Sequence, residues 1–170
     1  MKVTSAQAAK ILRKLEDDLS ALRSSESMSS SFNAAVGEDI ESVRPKYDYE
    51  QTQKDIAAIE EKVRKLKHTI NLFNVQQEVP GFDMTIDQLL VYIPQLSRQR
   101  SKLAEMRSVL PKARADTGYR ASNVNIIDYV YANYDIDMAD RDYNEVSDLL
   151  ARAQTALDTV NNTVTFDIEI

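Results

Sequence analysis

The chain of 170 residues carries 27 acidic and 21 basic side chains, so a nucleic-acid backbone or an anionic membrane surface would meet mostly repulsion and neither is expected as a partner. It contains no cysteine, one histidine and three glycines, which excludes disulfides, thiolate catalysis and glycine-rich phosphate loops, and no cofactor is expected. The length and the scarcity of Gly and Pro predict a single helical domain over residues 1–170. No apolar signal segment and no apolar run of membrane-span length is present, which predicts a location in the cytoplasm.

The first predicted element is a helix from about Thr4 to Arg23. Thr4 and Gln7 have the spacing of a capping box, in which each side chain binds a backbone N–H group at the helix start. Behind this cap, apolar residues recur at alternating steps of four and three, which places them on one face of the helix. They are Ala8, Leu12, Leu15, Leu19 and Leu22.

A serine-rich, acidic segment over about residues 24–46 interrupts this period. Serine competes for backbone hydrogen bonds, and the segment has few apolar residues to bury, so a flexible loop is predicted. Such a connection is much longer than most in compact domains, and it is either disordered or functional.

The strongest periodic signal predicts a second helix from Tyr47 to Phe73. Eight positions repeat at alternating steps of three and four, which is the a/d register of a coiled coil. Glu60 and Arg64 are spaced to form an ion pair on its flank, and Glu61 and Lys65 repeat that spacing. The register positions are Tyr49, Thr52, Ile56, Ile59, Val63, Leu66, Ile70 and Phe73.

A turn at Pro80 and Gly81 separates the second helix from the third. Residues 75–79, just before this turn, predict a short strand. After it, Thr85 and Gln88 form a second capping box that opens the third helix.

The third helix is predicted to run to about Pro111. Pro94 lies inside it and is expected to bend it, because the proline ring clashes with the carbonyl one turn back. Arg100 and Arg107 fall on its apolar stripe, where they are expected to reach solvent or to pair with acids of a neighbouring helix. The apolar positions are Ile86, Leu89, Ile93, Leu96, Leu103 and Leu110.

Residues 123–131 are rich in Val, Ile and Tyr, which predicts one strand or a short hairpin. Nearby tyrosines form either an aromatic recognition surface or half-buried strand positions. Only Arg120 and Arg141 supply basic charge among them, so the half-buried strand is favoured. The tyrosines are Tyr119, Tyr129, Tyr131, Tyr134 and Tyr143.

The chain is predicted to end in a fourth helix, about Met138–Asn161, and a strand over residues 164–170. Apolar and polar residues alternate in this strand, which gives it one apolar face. That face needs a cover, and the alternatives are a strand of another chain or the Asn123–Tyr131 segment of the same chain.

Two groups of side chains are candidates for chemistry. His68 is the only histidine, so it has no partner for a His-based metal site and is predicted to be an ordinary flank residue. The acids at the start of the fourth helix offer oxygen ligands to a hard cation, but acids there also cap a helix and complement its dipole, and that role is favoured. No catalytic residue is assigned, and the metal candidates are Asp137, Asp140, Glu145 and Asp148.

The order of these features resembles a family of bacterial long-helix proteins, uncharacterised in function, that is sometimes named septicolysin. The resemblance implies a helical fold and supplies no catalytic residue. The similar pieces, besides the first leucine stripe and the acidic loop, are Ile70-Asn71 with Asn74, Thr85-Ile86, Asp135-Ile136, and the helix ending Gln154, Leu157, Val160, Asn161 and Thr163.

These observations predict a mainly α fold of antiparallel long-helix hairpins with a few short strands. The expected function is a non-enzymatic structural or protein-interaction module that forms a homo-oligomer, with an unidentified protein as a further possible partner. The alternatives are a metal-dependent hydrolase that uses the acids of the fourth helix, and a prefoldin-like chaperone that holds unfolded clients.

Overall fold

The structure is a computed structural model that describes residues 1–115 and 128–169. These residues are mainly helical, with short strands in two antiparallel sheets of two strands each, so the predicted fold class is confirmed. The helices are α1 (Ser5–Ser29), α2 (Ile40–Val43), α3 (Tyr49–Gln76), α4 (Ile86–Arg107) and α5 (Ile136–Thr163). The strands are β1 (Lys2–Thr4), β2 (Lys112–Arg114), β3 (Tyr129–Tyr131) and β4 (Thr165–Asp167).

The chain divides into two compact units, one comprising Met1–Gln77 and Asp158–Ile170 and the other Glu78–Leu157. None of the helices in the described ranges combines the length and the apolar character needed to cross a membrane.

In the first unit, α1 and α3 pack against each other as an antiparallel hairpin. Arg23 pairs with Glu60, and Glu16, two turns earlier on α1, pairs with Lys67, two turns later on α3. The predicted capping box at Thr4 opens α1. The hairpin buries Ala8 and Leu66 completely, together with Val3 and Ile168, and half-buried Ile11, Leu12, Leu15, Ile70 and Phe166 pack around them.

The first helix is longer than predicted and continues through Ser29 rather than ending near Arg23. Glu26 accounts for part of this extension, because its carboxylate accepts hydrogen bonds from the Tyr47 hydroxyl at 2.9 Å and from the Gln53 amide. The last turns of α1 are therefore held against the start of α3 by tertiary bonds that local serine propensity does not reveal. Within the predicted loop, α2 adds one further helical turn.

The strand predicted near residues 75–79 is reduced to a single bridge residue. Val75 and Gln76 belong to α3, and only Glu78 forms an isolated bridge, with Thr85.

The C-terminal strand pairs with the N-terminus of its own chain, which neither of the two predicted alternatives included. In this sheet Val3 lies opposite Phe166, and Ile168 and Met1 exchange backbone hydrogen bonds. The apolar face is covered, since Ile168 is buried and the Phe166 ring stacks on Phe73 with centroids 4.3 Å apart. Ile170 lies outside the described residues.

In the second unit, α4 and α5 run antiparallel. The end of α4 is joined to the start of α5 by an ion pair between Arg107 and Asp140, as expected for an arginine on this stripe. At the other end, Pro80–Phe82 lie beside residues 151–156 of α5. The capping box at Thr85 is present. Buried positions of this unit include Ile86, Leu89, Leu96, Leu103, Ala139, Val146, Leu150, Ala153 and Leu157.

The predicted end of the third helix is corrected. The helix ends at Arg107, so Leu110 lies beyond it and is exposed instead of completing the apolar stripe. Helical structure is continuous through Pro94. Arg100 is exposed.

A ribbon of two strands, β2 and β3, lies between α4 and α5 in the chain. Lys112, Ala113 and Arg114 pair with Tyr131, Val130 and Tyr129 in antiparallel register. The strand predicted over 123–131 is present at its end, and residues 116–127 lie outside the described part of the chain. Strand β2 had no counterpart in the sequence prediction, because three residues after a helix give too short a pattern to recognise.

Candidate interaction surface

The four acids proposed as metal ligands lie along α5 without converging. Asp137 and Glu145 are eight residues apart, which corresponds to about 12 Å along a helix and exceeds the span of one ion's ligands. Asp140 accepts a hydrogen bond from Arg107 at 2.9 Å. In the part of the chain that the structure describes, no group of three or more His, Asp or Glu side chains is placed to hold a metal ion.

The acid that caps α5 is Asp135, which immediately precedes the helix. Its Oδ1 atom accepts hydrogen bonds from the backbone N–H groups of Asp137 at 2.9 Å and Met138 at 3.1 Å. These bonds satisfy two of the N–H groups that a helix start leaves open. One of the acids clustered here, Asp135, therefore has the capping role that the sequence favours.

His68 is exposed on α3 and lines an open cleft of about 790 Å³ between α1 and α3. The cleft has Leu19 and Val63 in its lining, and the ion pairs of Arg23 with Glu60 and Lys67 with Glu16 cross it. Four of its charged side chains are thus neutralised in pairs that bridge the two helices. Glu60 pairs with Arg23 across the hairpin, rather than with Arg64 on its own helix as predicted. The predicted pair of Glu61 with Lys65 is formed, with an N–O distance of 2.7 Å.

The tyrosines divide into two groups with different roles. The Tyr134 hydroxyl donates a hydrogen bond to the Met106 carbonyl at 2.7 Å, and the Tyr143 ring lies under the Arg107 guanidinium at 3.8 Å, so both connect α4 with the α5 region. Tyr119 lies outside the described residues. Tyr129 and Tyr131, in contrast, stand on the ribbon.

The prediction that the strand tyrosines are half-buried is wrong for β3. Tyr129, Val130 and Tyr131 are 48%, 58% and 60% exposed. A ribbon of two strands has no second layer of its own, and this one leaves both faces of β3 accessible. Val109 and Leu110, just before β2, are exposed as well. We call Val109, Leu110, Tyr129, Val130 and Tyr131 the ribbon surface.

Strand β2 supplies basic charge that the sequence reading did not associate with these tyrosines. Lys112 lies opposite Tyr131, and its Nζ atom is 4.1 Å from the centre of the Tyr129 ring and 5.4 Å from that of Tyr131. Arg114 lies opposite Tyr129. In the sequence, only the alternation of basic and apolar residues at Lys112, Ala113 and Arg114 indicates strand β2. That these basic side chains lie beside the tyrosines becomes evident only from the pairing of β2 with β3.

The outer edge of β3 presents backbone hydrogen-bonding groups. Ala115 donates to the Asp128 carbonyl at 2.9 Å, and Ala132 donates to the Pro111 carbonyl at 3.2 Å. Because inward-bonding residues alternate along an antiparallel ladder, Val130 also faces β2, and the N–H and C=O groups of Tyr129 and Tyr131 point away from it. No other strand among residues 1–115 and 128–169 pairs with this edge.

Comparison with known proteins places the fold but not the function. No protein-family model and no curated protein matches this chain. A crystal structure of a functionally unknown conserved protein from Corynebacterium diphtheriae is similar, with a TM-score of 0.62 and 14% sequence identity. The match covers 98% of this chain and 100% of that one, so the similarity extends over the whole fold.

Proposed function

We propose that this chain is a non-enzymatic protein-interaction module that associates with itself. The observation that carries the proposal is the ribbon surface, in which five large apolar residues on the two faces of β3 and just before β2 are between 41% and 65% exposed. Clustered exposed apolar groups mark interaction sites, because water is released when a second surface covers them. Tyr129 and Tyr131 add large, rigid contact area of the kind that is enriched in interfaces.

The non-enzymatic part of the proposal rests on the acids of α5. Asp135 caps the helix and Asp140 is engaged by Arg107, so the interactions found for them are structural. Hydrolysis assisted by a metal would instead call for carboxylates that converge on one point.

The test is the mass of the chain in solution, measured by light scattering over a dilution series. We expect a dimer or larger assembly at tens of micromolar. The double variant Leu110→Ser with Val130→Ser should be monomeric at that concentration, because it removes two exposed apolar groups from the ribbon surface. A monomeric unaltered chain would overturn the proposal.

A matched control is available on α4. Leu90 and Val91 are 47% and 59% exposed, close to the 65% and 58% of Leu110 and Val130. The double variant Leu90→Ser with Val91→Ser should therefore keep the mass of the unaltered chain. Equal loss of association in both double variants would show that general surface apolarity, rather than the ribbon surface, drives assembly.

A second candidate function is the holding of unfolded protein clients, and it is favoured by the connection between α1 and α3. Met28, Val36, Ile40 and Tyr49 are all more than half exposed there, at the end of a two-helix hairpin. Variants Met28→Ser and Tyr49→Ser should reduce suppression of aggregation of a chemically unfolded test protein, whereas Val130→Ser should not. If the unaltered chain suppresses no aggregation, this second candidate fails.

A further inference from the structure

The outer edge of β3 has the same side-chain order in both directions. Its three residues read Tyr129, Val130 and Tyr131, with Val130 at the centre. When this strand pairs antiparallel with a second copy about a twofold axis through Val130, each tyrosine faces a tyrosine and Val130 faces its own copy, so that every cross-strand pair joins side chains of equal size.

The edge also lacks the features that usually prevent such pairing. Protective edge strands carry lysine, proline, an inward-pointing charge or a bulge. None of these occurs within β3, and the charges of the ribbon, Lys112 and Arg114, lie on β2. Moreover, the side chains of β3 are exposed on both of its faces, so they are free to pack against those of a second copy.

We infer that two copies of the chain pair through the outer edges of β3, antiparallel and centred on Val130, to form a four-stranded sheet. This inference rests on the proposed function and specifies its partner and geometry. Tyr129 then exchanges two backbone hydrogen bonds with Tyr131 of the partner subunit, and the reverse pair does the same. The four N–H and C=O groups that each β3 edge presents are satisfied without rearrangement of β2.

The side chains fit this arrangement. Val130 lies opposite Val130 of the partner subunit in a non-hydrogen-bonded pair, where side chains are closest. Tyrosines from both copies fall on one face beside Lys112 and Arg114, which occupy the outer strands. No like charges face each other directly across the new strand pair, so the pairing meets no local repulsion.

A single engineered cysteine tests the geometry, because the natural chain contains none. Cα atoms of a non-hydrogen-bonded pair are about 4.5 Å apart, which lies within the range that a disulfide bridges. Val130→Cys should therefore form a covalent dimer rapidly under mild oxidation. Val91→Cys is the control, since Val91 is 59% exposed against 58% for Val130 and lies on α4. Equal cross-linking rates for the two variants would overturn the inferred geometry.

A proline substitution tests the backbone bonds. The N–H of Tyr131 points outward, so Tyr131→Pro removes an edge donor while leaving the bonds between β2 and β3 in place. This variant should be monomeric at concentrations where the unaltered chain and Tyr131→Phe are dimeric, with unchanged helical circular dichroism. A dimeric Tyr131→Pro chain would overturn the inference. Should this variant misfold, the cross-linking comparison decides alone.

Self-association and edge pairing are overturned by different results. A monomeric unaltered chain overturns both the proposed self-association and this edge pairing. An unaltered chain that dimerises, with no selective cross-linking at position 130, overturns the edge pairing alone.

Discussion

Arg107 and Asp140 join two helices of the second unit, with Nη1 of the arginine 2.9 Å from Oδ1 of the aspartate. The same guanidinium lies 3.8 Å from the centre of the Tyr143 ring, one helical turn further along α5. A planar cation can make both contacts at once, whereas the ammonium group of lysine cannot reproduce the stacking.

We therefore expect Arg107→Ala to lower the free energy of unfolding by about 1 kcal/mol, the sum of a partly exposed ion pair and a cation–π contact. Arg107→Lys should recover only the ion-pair part. Denaturant unfolding of both variants measures the difference. As a control, Lys54→Ala breaks an ion pair with Glu50 that is well exposed on both sides, and it should cost less. An Arg107→Lys chain as stable as the unaltered chain would contradict a role for the ring.

Leu66 is the most deeply buried position of the predicted register, with no exposed surface. Leu66→Ala should destabilise the first unit by about 2–5 kcal/mol through lost burial and a cavity, and Leu66→Asp by more, since it buries an unpaired charge. Thermal melting followed by circular dichroism is the measurement. Leu72→Asp on the same helix is the control, because Leu72 is 47% exposed. If both aspartate variants melt alike, Leu66 is not part of the core.

Tyr47 should make the free energy of unfolding depend on pH in the alkaline range. Burial of the hydroxyl, then its hydrogen bond to Glu26 and the charge of that carboxylate, raise the pKa of Tyr47 above its ordinary value of 10.0. The folded state therefore retains the phenol proton better than the unfolded state, and the resulting stability is present below pH 10.0 and lost as the pH rises through the folded-state pKa. The stability difference between the unaltered chain and Tyr47→Phe should shrink over that window. A difference that stays constant with pH would refute this linkage.

The segment between α1 and α2 is predicted to be the first site of proteolysis. Residues 31–39 are all exposed, and Glu38 lies among them, whereas Glu26 is partly buried and accepts two side-chain hydrogen bonds. A glutamate-specific protease should cut after Glu38 well before Glu26. The two fragments should remain associated through the packing of α1 on α3. Mass spectrometry of early digests gives the order, and earlier cleavage at Glu26 would show that the last turns of α1 open readily.

The four long helices, and the start of two of them, were readable from the sequence because the determinants are local. Thr4 with Gln7, and Thr85 with Gln88, form both of the predicted capping boxes. Apolar period alone identified Leu66 and Leu96 as core positions, and both are buried. The end of α1 was missed because Glu26 is held by Tyr47 and Gln53, which lie beyond a long connection.

The sequence predicts only part of the ribbon surface and its surroundings. The sequence allows a recognition surface for the tyrosines of β3 but favours half-buried strand positions, since strand propensity does not tell whether a second layer covers the strand. The basic partners Lys112 and Arg114 are remote from Tyr129 and Tyr131 in sequence and meet them only through strand pairing.

Local patterns in the sequence by themselves determined the helical class, the caps and the apolar faces, because each depends on residues within a few turns of one another. Tertiary structure alone decided the partner of every strand. The antiparallel pairing of Val3 with Phe166, and the stacking of Phe166 on Phe73, join residues far apart in the chain. Strands of three residues carry too little pattern to specify a partner, and for β1 and β4 packing against α1 and α3 selects it.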